Sequence, residues 1–161
     1  MQNNNLIDIS AFDKKSILEL ISFAENFILP DGSFKNEDLF QDKTIANVFF
    51  EPSTRTKISF EIAAMNLGCN VINFNATTSS LSKGETINET IDALGLMGVD
   101  LCILRSKDPL IEELSLKNES IRFINGGEGI SSHPSQTLID LMTIIQHKDS
   151  LNNLKIVIVG D

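Results

Sequence analysis

Apolar positions along the chain fall into two alternating kinds of segment. Short runs rich in β-branched and aromatic residues predict strands, and longer stretches with apolar residues three and four apart predict helices. The first helical stretch carries Ile17, Leu18, Leu20, Ile21, Ala24, Phe27 and Ile28. Ser10 with Asp13 three residues on predicts its start, and Pro30-Asp31-Gly32 predicts its end. Residues 44–50 then predict a strand, 54–67 a helix stopped by Gly68, and 70–75 a second strand. Ser82-Lys83-Gly84-Glu85 reads as a capping box for a helix running to about Met97. Residues 99–105 predict a third strand, with Asp108-Pro109 opening the helix after it. Residues 121–125 predict a fourth strand, and 134–147 a helix with proline in its first turn.

Strands that are apolar on both faces and alternate with helices imply an α/β fold, a parallel sheet with helices on both faces. Ligands of such sheets bind beyond the carboxyl ends of the strands. Residues 51–56, 76–84, 105–108 and 125–136 are therefore the places to look for chemistry. Residues 155–161 read as a fresh buried strand followed by glycine, the opening of another unit. The expected organisation is one domain over residues 1–150, with residues 151–161 the first strand of a second, truncated α/β domain.

Charge narrows the class of partner. The 22 acidic against 13 basic residues give a formal net charge of −9, a poor footprint for nucleic acid or for an anionic membrane. Cys69 and Cys102 lack metal-ligand spacing and sit in apolar stretches, as small buried hydrophobes in a reducing compartment do. With no export signal and no long apolar run, a cytoplasmic location is expected, and no metal or cofactor is implied.

In Glu51-Pro52-Ser53-Thr54-Arg55-Thr56, Ser53 is a natural N-cap, so free amides and the positive end of a helix are offered to an anion. Arg55 opposes that dipole unless an anion sits between them, although an ordinary capped helix with an exposed arginine fits the segment as well. The other two arginines differ in position: Arg105 ends its strand at the ligand edge, and Arg122 begins its strand at the opposite edge. In residues 125–136 three glycines let the backbone turn closely around something, and His133 and Gln136 follow at the same mouth. Neither a dinucleotide fingerprint nor a Walker motif is present. Lys83 by itself reads as a solvated loop lysine.

Together these residues resemble a known family. Phe49-Phe50-Glu51-Pro52-Ser53-Thr54-Arg55-Thr56 and the residues to Glu61 are similar to the carbamoyl-phosphate signature of the aspartate and ornithine carbamoyltransferases. Ser82-Lys83-Gly84-Glu85-Thr86 resembles the mobile loop of the aspartate branch, and His133-Pro134-Ser135-Gln136 the family's His-Pro-x-Gln segment. The closest resemblance is to a catalytic chain of the aspartate branch. It implies carbamoyl transfer from carbamoyl phosphate to the amine of L-aspartate, with no covalent intermediate, in pyrimidine biosynthesis. Ser53, Thr54, Arg55 and Thr56 would hold the phosphate; Thr56, Arg105 and His133 the carbamoyl oxygen; and Gln136 the carbamoyl amine. Lys83 and Ser80 would reach into a neighbouring subunit's site in a homotrimer, and Glu51 would tie this domain to the aspartate domain. Regulatory chains are left open by the sequence. The ornithine branch and a non-catalytic phosphate-binding module are the alternatives, and the 161 residues alone are expected to bind carbamoyl phosphate weakly without turnover.

Overall fold

The computed structural model describes residues 5–75, 84–148 and 150–159. Four strands, β1 (Thr44–Phe49), β2 (Asn70–Asn75), β3 (Leu101–Ser106) and β4 (Arg122–Glu128), pair in parallel in the order β2-β1-β3-β4. Helix α1 (Lys14–Glu25) precedes the sheet, and α2 (Thr54–Asn66), α3 (Ile87–Leu96), α4 (Ile111–Lys117) and α5 (Pro134–His147) follow the successive strands. The α/β class read from the sequence is the observed one.

The period of a strand divides the core in two. Ala46 and Val48 of β1 join Cys102, Leu104 and Phe123 on one face, covered by Ile91 and Leu94 of α3 and by Ile111 and Leu114 of α4. Ile45 and Phe49 join Ile103 on the other face, against Ala64 of α2. Strands sandwiched this way need apolar residues on both sides, which is why their hydrophobic runs are continuous. Cys102 lies in the first cluster, where burial pushes its thiol up to about 12; Cys69 is only half-buried, and both are free.

Several boundaries differ from the expectation. Helix α1 is capped by Asp13, whose carboxylate accepts from Ser16 N at 2.7 Å. Ile9–Ala11 instead form a separate 3₁₀ turn capped by Asp8, because Phe12 is extended and breaks the helical path. The capping box of α3 is Thr86 with Glu89, one turn after the predicted one, whose Ser82 and Lys83 lie outside the described residues. Helix α4 begins at Ile111 and not at Pro109, and has no local side-chain cap. Strand β4 continues to Glu128, through the glycines expected to be loop.

Two further segments depend on neighbours. Residues 5–7 run beside β4, with Leu6 N donating to Phe123 O at 2.9 Å and Asn125 N to Leu6 O at 2.8 Å. Residues 155–159 form no strand among the described residues, and Ile158 and Val159 are each 92% exposed. A strand exists only through hydrogen bonds to another strand, and β-propensity alone makes none among the described residues.

Candidate active site

The strand order decides where the crevice lies. From β1 the chain passes to α2 on one face of the sheet, and from β3 to α4 on the other, while β1 and β3 are neighbours. Their carboxyl ends therefore flank the switch point at which such sheets bind ligands. Phe49 lies opposite Arg105 in register, and Phe50 N donates to Arg105 O at 2.9 Å. Glu51, just beyond, turns its carboxylate to within 3.5 Å of Arg105 Nε, both side chains being half-buried.

On the β1 side, Ser53 occupies the N-cap of α2 in an extended conformation, yet its side chain makes no capping bond, contrary to expectation. The first helical hydrogen bond runs from Lys57 N to Ser53 O, so the amides of Thr54, Arg55 and Thr56 are uncommitted at the positive end of the helix. The side chains of these three residues and of Ser53 make no hydrogen bond or ion pair among the described residues. Arg55 and Thr54 are exposed, and Thr56 and Ser53 are half-buried. The result is a cluster of free donors a few residues from Glu51, which is a suitable cradle for a small tetrahedral anion.

On the β3 side, the ladder to β4 slips between Leu104 and Ser106, since Leu104 pairs with Asn125 but Ser106 with Glu128. The extra residue on β4 is a bulge at Gly126-Gly127. The Asn125 side chain, fully buried, stabilises it by accepting from Gly127 N at 2.8 Å. The bulge aims Gly126 O at Arg105 Nη1, 3.0 Å away. It also leaves Gly127 at φ +122, where a Cβ would overlap Arg105 Nη1 and lie 3.0 Å from Arg105 Cζ and 3.2 Å from His133 Cδ2. Guanidinium and imidazole thus meet over one bare α-carbon. The glycine run closes on the protein itself: Gly127 makes room for Arg105, and Gly129 for the carbonyl of Lys107.

His133 is the N-cap residue of α5, with Pro134 next, but its ring makes no cap bond. Nδ1 lies 3.2 Å from Ser135 Oγ. Burial holds the imidazole below its usual pKa, the positive charge of Arg105 adds to this, and Asp140 opposes it. Neutral His133 is thus favoured, with one N–H to offer. In the window between its depressed value and the ordinary 6.5, the unfolded chain binds a proton that the folded chain does not. Stability therefore rises with pH through that window and is lost as pH falls. His133→Gln is expected to flatten this slope, as measured by urea unfolding midpoints across the acid range.

The remaining expected residues are less gathered. Gln136 is exposed, and its Nε2 donates to Asp140 Oδ1 at 2.9 Å, one turn along the helix. Lys83 and Ser80 lie outside the described residues. Arg122 begins β4 at the far edge, as expected. Sequence reasoning missed Gly127 as the contact point, Asn125 as its brace, and Glu128, which caps α4 from 17 and 18 residues away. The sequence held no signal for Glu128, because Asp108-Pro109 offered a local start for this helix. Among the described residues no group of three or more His, Cys, Asp or Glu is placed to hold a metal ion.

The donor set, an uncapped helix end beside a paired arginine and a neutral histidine, suits a phosphate joined to a small polar acyl group. The family profile for the aspartate/ornithine carbamoyltransferase, carbamoyl-P binding domain, matches residues 4–146. The chain belongs to this family. It is 44% identical over 160 residues to an aspartate carbamoyltransferase catalytic subunit of Coxiella burnetii, covering 98% of this chain and 51% of that protein. It is 37% identical over 158 residues to that of Vesicomyosocius okutanii, covering 98% and 49%. Among solved structures, aspartate transcarbamoylase from Trypanosoma cruzi in complex with aspartate and phosphate matches with a TM-score of 0.82 at 31% identity, over 92% of this chain and 46% of that one. The catalytic subunit from M. Jannaschii matches at 0.80 and 34%, over 91% and 47%. The chain spans about half the length of these carbamoyltransferase relatives.

Proposed function

We propose that the protein containing this chain transfers the carbamoyl group of carbamoyl phosphate to the amine of L-aspartate, giving N-carbamoyl-L-aspartate and phosphate, an early step of pyrimidine biosynthesis. The observation that carries the proposal is the meeting of Arg105 and the His133 ring at Gly127, with Arg105 paired to Glu51 just ahead of the uncommitted first turn of α2. Ser53, Thr54, Arg55 and Thr56, with the free amides of that turn, bind the phosphate. Thr56, Arg105 and His133 direct donors at the carbamoyl oxygen, and Gln136 binds the carbamoyl amine once its side chain leaves Asp140.

The chemistry follows from these roles. The aspartate amine attacks the carbamoyl carbon, the C–N bond forms, and negative charge grows on the carbamoyl oxygen. Donors fixed in advance around that oxygen stabilise the charge without reorganising. The bond from the carbamoyl carbon to the bridging oxygen then breaks, and the phosphate, leaving with that oxygen, accepts the amine proton. Holding both reactants side by side supplies much of the remaining acceleration. The phosphate is a good leaving group, so the roles named require no covalent intermediate.

Assembly as a homotrimer in the cytoplasm, with Lys83 and Ser80 entering a neighbour's site, belongs to the same proposal. In its favour, Ile58, Ile62 and Met65 leave an apolar stripe on the outer face of α2, at 48%, 50% and 60% exposure. None of the helices described is long and apolar enough to cross a membrane. The exposed apolar residues 156–159 support a second α/β domain beginning there, with Glu51 exchanging Arg105 for a partner in it. The 161 residues alone are expected to bind carbamoyl phosphate without turnover.

The test is a ureido-product assay on the full-length protein, with L-aspartate and L-ornithine offered in turn. Product from aspartate is the expected result. Product from ornithine alone would move the acceptor to the sibling reaction. Binding of carbamoyl phosphate with no product from either would leave only a binding module.

A further inference from the structure

Glu128 ends β4 with its side chain packed inside, 7% exposed. A carboxylate there needs hydrogen-bond donors, and the first amides of α4 need an acceptor that Leu110 at its N-cap cannot offer. The two needs meet, since Glu128 Oε1 accepts from Leu110 N and Ile111 N, both at 2.8 Å. The main chain around Glu128 reaches the other way. Glu128 N donates to Ser132 O at 2.9 Å, Ser131 N donates to Glu128 O at 2.8 Å, and Gly129 N donates to Ser106 O at 2.9 Å.

Ser106 adjoins Arg105, and Ser132 adjoins His133. One residue therefore ties the segment leaving β3 to the segment entering α5, and those two segments carry the groups that meet at Gly127. We propose that Glu128 is a positioning residue for the site, holding Arg105 and His133 at their working separation by clamping the β3–α4 segment to the β4–α5 loop. The proposal rests on the reading that these two groups act together. Main-chain bonds at Glu128 are available to any residue; the clamp on α4 needs a side chain of this length with an acceptor at its end.

The histidine ring signals of the chain, followed by NMR across the acid and neutral range, provide the test. Within residues 1–161 these are the signals of His133 and His147, assigned in the full-length protein by their loss in His133→Gln and His147→Gln. In Glu128→Leu the clamp is gone, Arg105 recedes and water enters, so the His133 midpoint is expected to move up towards the ordinary imidazole value while His147 stays in place. Loss of a nearby negative charge alone would move it down, so the sign separates the two causes. Glu128→Gln keeps an oxygen able to accept from both amides and is expected to hold His133 at or slightly below its native midpoint. A folded Glu128→Leu protein with His133 unmoved or shifted down overturns the proposal, and so does an upward shift in Glu128→Gln as large as in Glu128→Leu.

If far-UV circular dichroism shows Glu128→Leu unfolded, Glu128→Asp decides. One methylene shorter, it cannot reach both amides, so an upward shift is expected and its absence overturns the proposal. No substrate enters these measurements, so their failure leaves the carbamoyl-transfer reading standing. Absence of activity in the ureido assay likewise leaves the clamp testable.

Discussion

Arg105→Ala in the full-length protein is expected to lower kcat by on the order of a hundredfold to a thousandfold, the usual cost of removing one donor from a developing oxyanion. Three features make this side chain more than a generic positive charge. Its Nη1 is fixed on Gly126 O at 3.0 Å, its Nε lies 3.5 Å from Glu51, and its plane stands over Gly127 beside His133. Arg105→Lys keeps the charge but not the planar fork, and is expected to recover little of the loss. Steady-state rates with carbamoyl phosphate and aspartate varied separately check both variants. A kcat within threefold of wild type in Arg105→Ala would remove Arg105 from the reaction. The substitution should also release Glu51 from its ion pair, at small cost because both partners are partly solvated.

Gly127→Ala is expected to damage both the fold and the site. At φ +122 any L side chain is strained, and the new methyl overlaps the guanidinium of Arg105. Strain of this kind costs about 1–3 kcal/mol, which for a domain of this size lowers the unfolding temperature by roughly 2–4 °C per kcal/mol. Arg105 must also move off its seat, so the affinity for carbamoyl phosphate falls with the stability. Gly126→Ala provides the contrast. Its φ is not in the left-handed region, and its Cβ would meet Ile103 Cγ2 and Leu104 O at 3.4 Å, tight but not overlapping. Calorimetric unfolding and carbamoyl phosphate titration of the two variants should rank Gly127→Ala as clearly the worse. Equal effects would mean that crowding in the sheet, and not the Arg105 seat, is what the glycines serve.

Elements that draw on local signals were legible. Strand β2 spans Asn70–Asn75 and α5 spans Pro134–His147, as their hydrophobic period and the proline at the first turn predict. Where a distant residue settles a boundary, the local reading failed. The start of α4 depends on Glu128, β4 gains its last residues from a bulge, and residues 155–159 pair with no strand among the described residues. The site divides in the same way. Arg55, Arg105, His133 and the Ser53-Thr54-Arg55-Thr56 turn could be named from type and position at strand ends. The actual contact at Gly127, the 3.5 Å ion pair with Glu51, and the turning of Gln136 towards Asp140 could not.

From the sequence alone come the alternation of strand and helix, the parallel α/β class, and the identity of the polar groups set at the carboxyl ends of the strands. Period and turn chemistry act over a few residues, and a chain states those directly. Tertiary structure alone decided that β1 and β3 are neighbours, that a bulge in β4 brings Arg105 and His133 to one bare α-carbon, and that a buried carboxylate 17 residues away caps α4. Strand order, bulge register and remote capping arise from pairing between segments far apart in sequence. The free energies of those pairings belong to the assembled sheet and not to any of its segments.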